Sequence, residues 1–148
     1  MTDFTLESDA FQHTQAIPTR HTCEGEDLSP PLRWGNVPAE TRSLALLVDD
    51  PDAPGRVFTH WVAWGLDPDA GGLAEGQAAP SEGRNDFGTV GYRGPCPPPG
   101  HGSHRYLFRL YALDGELELD SDTGKAELEQ AIAGHVLTTA DLVGTYQR

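Results

Sequence analysis

Apolar residues fall in short runs separated by proline- and glycine-rich breaks through the first three quarters of the chain. Ser43-Leu44-Ala45-Leu46-Leu47-Val48-Asp49-Asp50 is almost continuously apolar and ends in acid, and Phe58 to Leu66 is dense in aromatic and β-branched residues. Both read as buried strands. His104 to Leu113 is a third, and its continuous apolar character predicts a central strand covered on both faces. Thr2 to Phe11 and Leu32 to Gly35 are weaker strand candidates. Ser29-Pro30-Pro31, Pro51 to Gly55, Asp67 to Gly72 and Gly76 to Gly88 have turn or loop composition. The last is long for a compact domain and indicates a functional loop or a surface excursion.

Helical spacing is clear in one place, Lys125 to Ala133, where Leu128, Ala131 and Ile132 form a stripe suited to packing on a sheet. Asp122 or Thr123 is the expected N-cap, and Gly134 the C-terminal stop. Val136 to Tyr146 alternates threonine, valine and leucine well enough to predict a final strand, with a short helix through Thr139-Ala140-Asp141-Leu142 as the alternative. Many short strands with turn signals and one late helix predict a mainly β fold, an antiparallel β-sandwich or barrel with one or two short helices near the C-terminus.

Composition narrows the class. A chain of 148 residues, 37% apolar, fits one domain spanning 1–148 around one core of ordinary size. No apolar run approaches a membrane span, and the acidic start Met1-Thr2-Asp3-Phe4 lacks a basic or apolar leader pattern, so cytoplasmic residence without integral membrane association is expected. A formal charge of −13, with one lysine and nine arginines, repels nucleic-acid backbones and anionic bilayers, which excludes nucleic acid as a partner class. Salt adaptation and high-GC coding bias account equally well for that acidic, lysine-poor composition.

Cys23 and Cys96 lie far apart without C-x-x-C spacing, so neither a zinc ribbon nor a thioredoxin-type site is expected. Two reduced, partly buried thiols are the default in a cytosolic protein, and a disulfide tying the early loop to the proline-rich loop is the sharper alternative.

The densest cluster of special residues is Gly91 to Gly100, including Gly94-Pro95-Cys96-Pro97-Pro98, followed at once by His101-Gly102-Ser103-His104-Arg105-Tyr106. Proline fixes backbone shape and glycine permits close approach, so this loop is suited to form a pocket rim at the mouth of a strand. Strand alternation places Asp50 with Leu44, Leu46 and Val48, His60 with Phe58, Val62 and Trp64, and His104 with Tyr106, Phe108 and Leu110. A carboxylate, two imidazoles and a phenol at strand ends can converge on one cavity. There, ring N–H, Tyr O–H and loop backbone N–H groups would bind an oxyanion such as phosphate, with Asp50 orienting an imidazole.

Taken singly, those residues have plainer explanations: a core histidine with a hydrogen bond, an aspartate in a turn. A metal held by Asp50, His60 and His104 lacks H-x-H or H-E-x-x-H spacing, so neither metal nor cofactor is expected. Ser103 beside His104 invites a hydrolase reading, but G-x-S-x-G is absent. His101 and His13 read as solvated loop residues. Arg105 and Arg109 fall on the face opposite His104 and Tyr106, and an ion pair of Arg105 with Asp52 is expected. Phe58, Trp61 and Trp64 read as core.

On these residues the chain closely resembles the phosphatidylethanolamine-binding protein family, in its compact bacterial and archaeal branch described as Raf kinase inhibitor-like. The resemblance is carried by Asp50-Pro51-Asp52-Ala53-Pro54, Phe58-Thr59-His60-Trp61-Val62, and Gly94 to Pro98 leading to His104-Arg105-Tyr106. It continues through Thr22-Cys23-Glu24-Gly25, Ser29-Pro30-Pro31 and the tail from Gly134 to Tyr146, and so covers nearly the whole chain.

The resemblance implies a β-sandwich with a small anion pocket at one end. By matching positions, Asp50 answers to the family's pocket aspartate, His60 and His104 to its two histidines, Tyr106 to the tyrosine that follows, and Gly94, Pro95, Cys96, Pro97 and Pro98 to a loop supplying backbone donors. It also implies a candidate cis peptide at Ala53-Pro54. Cys96 stands where many eukaryotic relatives have glycine, Pro99 to Ser103 is locally different, and the C-terminal helical segment of larger relatives is absent, which implies a more open site.

A non-enzymatic binding protein for a small anion follows, whether phosphate, a phosphorylated metabolite or a lipid head group, with regulatory consequences. Two other classes stay open: inhibition of a serine protease or kinase through surface loops, and an acid–base enzyme using Asp50 and His60. Homodimerisation through an exposed sheet face is also open.

Overall fold

The computed structural model describes residues 3–148. Eight strands build two antiparallel sheets: β1 (Thr5–Glu7), β2 (Leu32–Gly35) and β5 (Gly72–Leu73) in the order β1-β2-β5, and β3 (Ser43–Asp50), β4 (Phe58–Leu66), β6 (Ser81–Glu82), β7 (His104–Leu113) and β8 (Val136–Tyr146) in the order β6-β4-β3-β7-β8. The helix α1 (Lys125–Ile132) follows β7. This is the expected β-sandwich, with a single α-helix among the described residues. The first strand is much shorter than Thr2 to Phe11, and Thr2 itself lies outside the described residues. No helix among them is long and apolar enough to cross a membrane.

The large sheet is buried on both faces at its centre. Leu44, Leu46, Val48, Phe108 and Leu110 face the small sheet, while Ala45, Leu47, Val62 and Trp64 face α1 through Leu128 and Ile132. Full burial of each of these large side chains contributes about 2–3 kcal/mol. The strands covered on both faces are therefore β3, whose residues are all buried except Asp49, and the middle of β4. β7 does lie between β3 and β8, but only its inner face is uniformly buried; Arg105 is exposed, and Leu107, Arg109 and Tyr111 are half-buried. Its outward arginine at 109 forms a two-point pair with Asp141 across the β7–β8 ladder.

The expected caps of α1 need correction. Gly124 holds the N-cap: its N–H donates to Glu127 Oε1 at 2.8 Å, and its carbonyl accepts from Leu128 N–H. Asp122 instead pairs with Arg84, and Thr123 is buried with its carbonyl accepting the Arg84 N–H, so neither is free to cap. Gly134 ends the helix in the left-handed region, at φ 82°.

A bulge in β4 shapes one end of the sandwich. Val48 pairs with Trp61 but Asp49 pairs with Thr59, so β4 carries one extra residue, His60, opposite the end of β3. This bulge breaks the alternation expected from the sequence. His60 does not share a face with Val62 and Trp64, which face α1; like Trp61, which packs in the core between the sheets, it lies on the face toward β7's Tyr106.

Candidate functional site

A cavity of about 210 Å³ opens beside this bulge, at the end of the large sheet where β3 stops and β7 begins. Asp50, His60, His104 and Tyr106 line it together with Cys96, Pro97 and Pro98. Strand ends at this edge bring the side chains together: Asp50 pairs with Phe58 across β3–β4, and His104 is the first residue of β7.

Asp50 and His104 form the polar centre. His104 Nδ1 lies 2.6 Å from Asp50 Oδ2, with both residues at most 3% exposed. Asp50 Oδ1 accepts the Asp52 N–H at 2.8 Å, so both oxygens are engaged. Asp52 in turn takes Nε, Nη2 and the backbone N–H of Arg105, the expected pair, which pins the Asp50–Pro54 turn onto β7. Those bonds hold the Asp52 carboxyl down to about 2. The turn does this with ordinary peptides: no peptide bond among the described residues is cis, Ala53–Pro54 included.

His60 contributes differently. Its Nδ1 stands 2.7 Å from the Arg93 carbonyl, so Nδ1 carries the proton and donates. Burial pushes its pKa below the usual 6.5, against weaker opposing effects of the Arg93 bond and of Asp50. The neutral ring therefore keeps Nε2 as an acceptor.

The Tyr106 hydroxyl is buried and has no hydrogen-bond partner. Burial, reinforced by the Asp50 charge, raises its pKa far above the ordinary phenol value, so it remains a neutral donor. A buried hydroxyl left unpaired costs about 1–3 kcal/mol.

The walls are aromatic and prolyl. Phe58 and Phe87 meet edge to face at 4.8 Å, and His60 meets Phe87 at 5.4 Å and Tyr106 at 5.3 Å. Phe58 was expected in the core with Trp61 and Trp64; only the two tryptophans are there, because the bulge turns Phe58 onto the pocket side. Phe87 comes from the long loop between Gly76 and Gly88, which thereby serves as a pocket wall.

Gly94 and Pro95 do not line the cavity. The Gly94 N–H donates to Asp27 Oδ1 at 2.9 Å, and a Cβ at that position would lie 2.1 Å from the His21 carbonyl oxygen. The Pro95 carbonyl accepts the Cys23 N–H. Prolines have no N–H, so Cys96 alone of Gly94 to Pro98 retains an uncommitted backbone donor type, and the expected row of loop donors is absent.

The cysteines are bonded to each other, with Cα atoms 5.4 Å apart, which replaces the expected pair of reduced thiols by the disulfide alternative. It joins the Cys96–Pro98 wall to the loop through Cys23, beside the Cys23–Pro95 backbone bond.

His101 is an exposed loop residue, as expected, but its ring also reaches the pocket histidine. Its Nδ1 is 2.6 Å from His104 Nε2. One proton lies between the two nitrogens, either on His101 donating to a neutral His104 or on a charged His104 donating to His101. Both nitrogens of His104 are thus engaged, by Asp50 and by His101, and Ser103 has no place in a triad with it. The H-x-x-H spacing across Gly100 and Gly102, both at positive φ, was the available signal for this contact. His13 also has a partner, accepting the Val143 N–H at 3.0 Å.

The same combination of segments recurs in known proteins. The family model for phosphatidylethanolamine-binding protein matches residues 7–147. A UPF0098 protein of Methanothermobacter thermautotrophicus is 51% identical, covering 97% of this chain and 98% of its own. A Chlamydia trachomatis homologue of phosphatidylethanolamine-binding protein superposes with a TM-score of 0.95 at 39% identity over 100% of this chain and 99% of its own. E. coli YbcL, described as a member of the mammalian family, gives 0.93 at 30% identity over 99% of both chains. With a sandwich and strand-end pocket of this kind, and a family match running nearly end to end, the chain belongs to the phosphatidylethanolamine-binding protein family.

Proposed function

We propose that this protein binds the anionic group of a small molecule, a phosphate or a carboxylate, in the cavity between Asp50, His60, His104 and Tyr106. The observation that carries this reading is the Tyr106 hydroxyl: a buried donor without a partner, in a cavity lined by Asp50, His60, His104 and aromatic and prolyl walls, is satisfied by an incoming acceptor. His104 supplies a second donor in the form whose Nε2 carries a proton. An anion then takes the place of His101 on Nε2.

Binding rather than turnover is supported by how the groups are committed. Both nitrogens of His104 and the Nδ1 of His60 already have partners, which leaves His60 Nε2 as the free base and no activated nucleophile beside it. The Cys23–Cys96 bond supports an oxidising compartment over the expected cytoplasm, because cytosolic thiol buffers keep most cysteines reduced.

Inhibition of a protease or kinase is a second reading, favoured by Val57 and Phe87, which are 42% and 38% exposed beside the cavity mouth. Titration with phosphate, phosphoethanolamine and acetate, followed through the histidine ring signals, separates the two. Saturable shifts at His60 and His104 that vanish in His104→Ala support the anion pocket. No shift at millimolar ligand refutes it and leaves the protein surface as the functional element.

A further inference from the structure

Nearly every arginine of this acidic chain is neutralised by a carboxylate. Arg20, Arg33, Arg56, Arg84, Arg93, Arg105 and Arg109 each have an acidic partner, whereas among the described residues Arg42 and Arg148 have none. Arg42 lines a separate cleft with Asp67 and Glu116. Arg148 is held against the pocket. Its Nε donates to the Pro97 carbonyl at 2.6 Å, and its own carbonyl accepts the Gly100 N–H at 3.1 Å. Pro97 is a cavity wall, and the adjoining Pro98 carbonyl accepts the His101 N–H, so tail, wall and histidine loop form one rim. Arg148 is exposed and does not itself line the cavity, but its guanidinium is anchored on the wall residue Pro97.

We infer that Arg148 is the selecting cation of this pocket: its two Nη groups close on two oxygens of a phosphomonoester whose third oxygen accepts the Tyr106 O–H. The inference rests on the anion-binding reading above and names its ligand class. Nε is already spent on Pro97, so the guanidinium presents its end-on fork, which matches two oxygens of a tetrahedral phosphate. A carboxylate engaged by that fork has no third oxygen for Tyr106. A fixed positive charge also offsets Asp50, whose carboxylate otherwise repels a dianion.

The test compares wild type, Arg148→Lys, Arg148→Gln and Arg42→Gln for binding of inorganic phosphate and of acetate, followed by the His60 and His104 ring signals. Wild type is expected to prefer phosphate. Arg148→Gln is expected to weaken phosphate about 10- to 100-fold and acetate less, so that the preference collapses, with Arg148→Lys intermediate and Arg42→Gln unchanged. Ligand-free ring signals matching wild type show that the rim has kept its shape; if they shift in Arg148→Gln, the Arg148→Lys comparison decides. An unchanged phosphate-to-acetate ratio in the Arg148 variants overturns the inference while wild-type binding upholds the anion pocket. Acetate binding without phosphate binding in wild type overturns the inference alone, and absence of both overturns the anion pocket as well.

Discussion

His104 Nδ1 stands 2.6 Å from Asp50 Oδ2 inside the sandwich, and this contact turns the other ring nitrogen, Nε2, toward His101. Asp50→Asn keeps the shape but removes the charge. It is expected to cost about 1–3 kcal/mol in urea unfolding and to release the ring's tautomer. Nitrogen shifts of His104 measure the second effect, and a tautomer pattern identical to wild type contradicts the orienting role.

Tyr106→Phe separates stability from binding. Deleting an unpartnered buried hydroxyl is expected to leave stability unchanged or to raise it by about 1–2 kcal/mol, while weakening phosphate binding. Parallel denaturation and titration check this. A loss of stability with full binding shows that the hydroxyl has an internal partner instead.

Burial of His60 makes stability depend on pH in a defined direction. Its native pKa lies below the unfolded value of 6.5, so the unfolded chain takes up a proton first as pH falls. The contribution is fully present above 6.5 and is lost as pH drops from there through the native pKa. Unfolding free energies measured from pH 8 to pH 5 are expected to fall in wild type and to fall less steeply in His60→Gln.

Gly94→Ala tests a position that supports the pocket without lining it. The new methyl would meet the His21 carbonyl oxygen, held by the Tyr92 hydroxyl, at 2.1 Å and Asp27 Oδ1, held by the Gly94 N–H, at 2.5 Å. A destabilisation of about 1–3 kcal/mol is expected, and calorimetry of the variant against wild type reads it directly.

The Cys23–Cys96 bond spans 73 residues of chain, and chain-entropy reasoning assigns such a loop about 4 kcal/mol. Alkylation under denaturing conditions is expected to find no free thiol, and reductant to lower the urea midpoint. Two alkylated cysteines in unreduced protein contradict the bond.

Strands β3, β4, β7 and β8 were legible because their runs are long and each apolar stretch ends in polar or turn residues. Asp50, His104 and Tyr106 could be placed by parity because β3 and β7 run without a bulge near those residues. His60 could not be placed by the same rule. The extra residue in β4 reverses its face, and a bulge is a property of two paired strands rather than of one. Gly94 and Pro95 were read as ligand contacts because their residue types suit a rim, yet their backbone groups are taken by Asp27 and Cys23.

The sequence by itself determined the β-rich class, the strand ends that carry aspartate, histidine and tyrosine, and the family, since these depend on local periodicity and ordered motifs. The tertiary structure decided which distant segments meet there: Cys23 bonded to Cys96, Phe87 as a wall, His101 on His104, and Arg148 on Pro97. Alternation along a strand follows from the backbone of that strand alone. Contacts between loops and a chain end depend on how the finished sheets bring them together, and no local pattern encodes that distance.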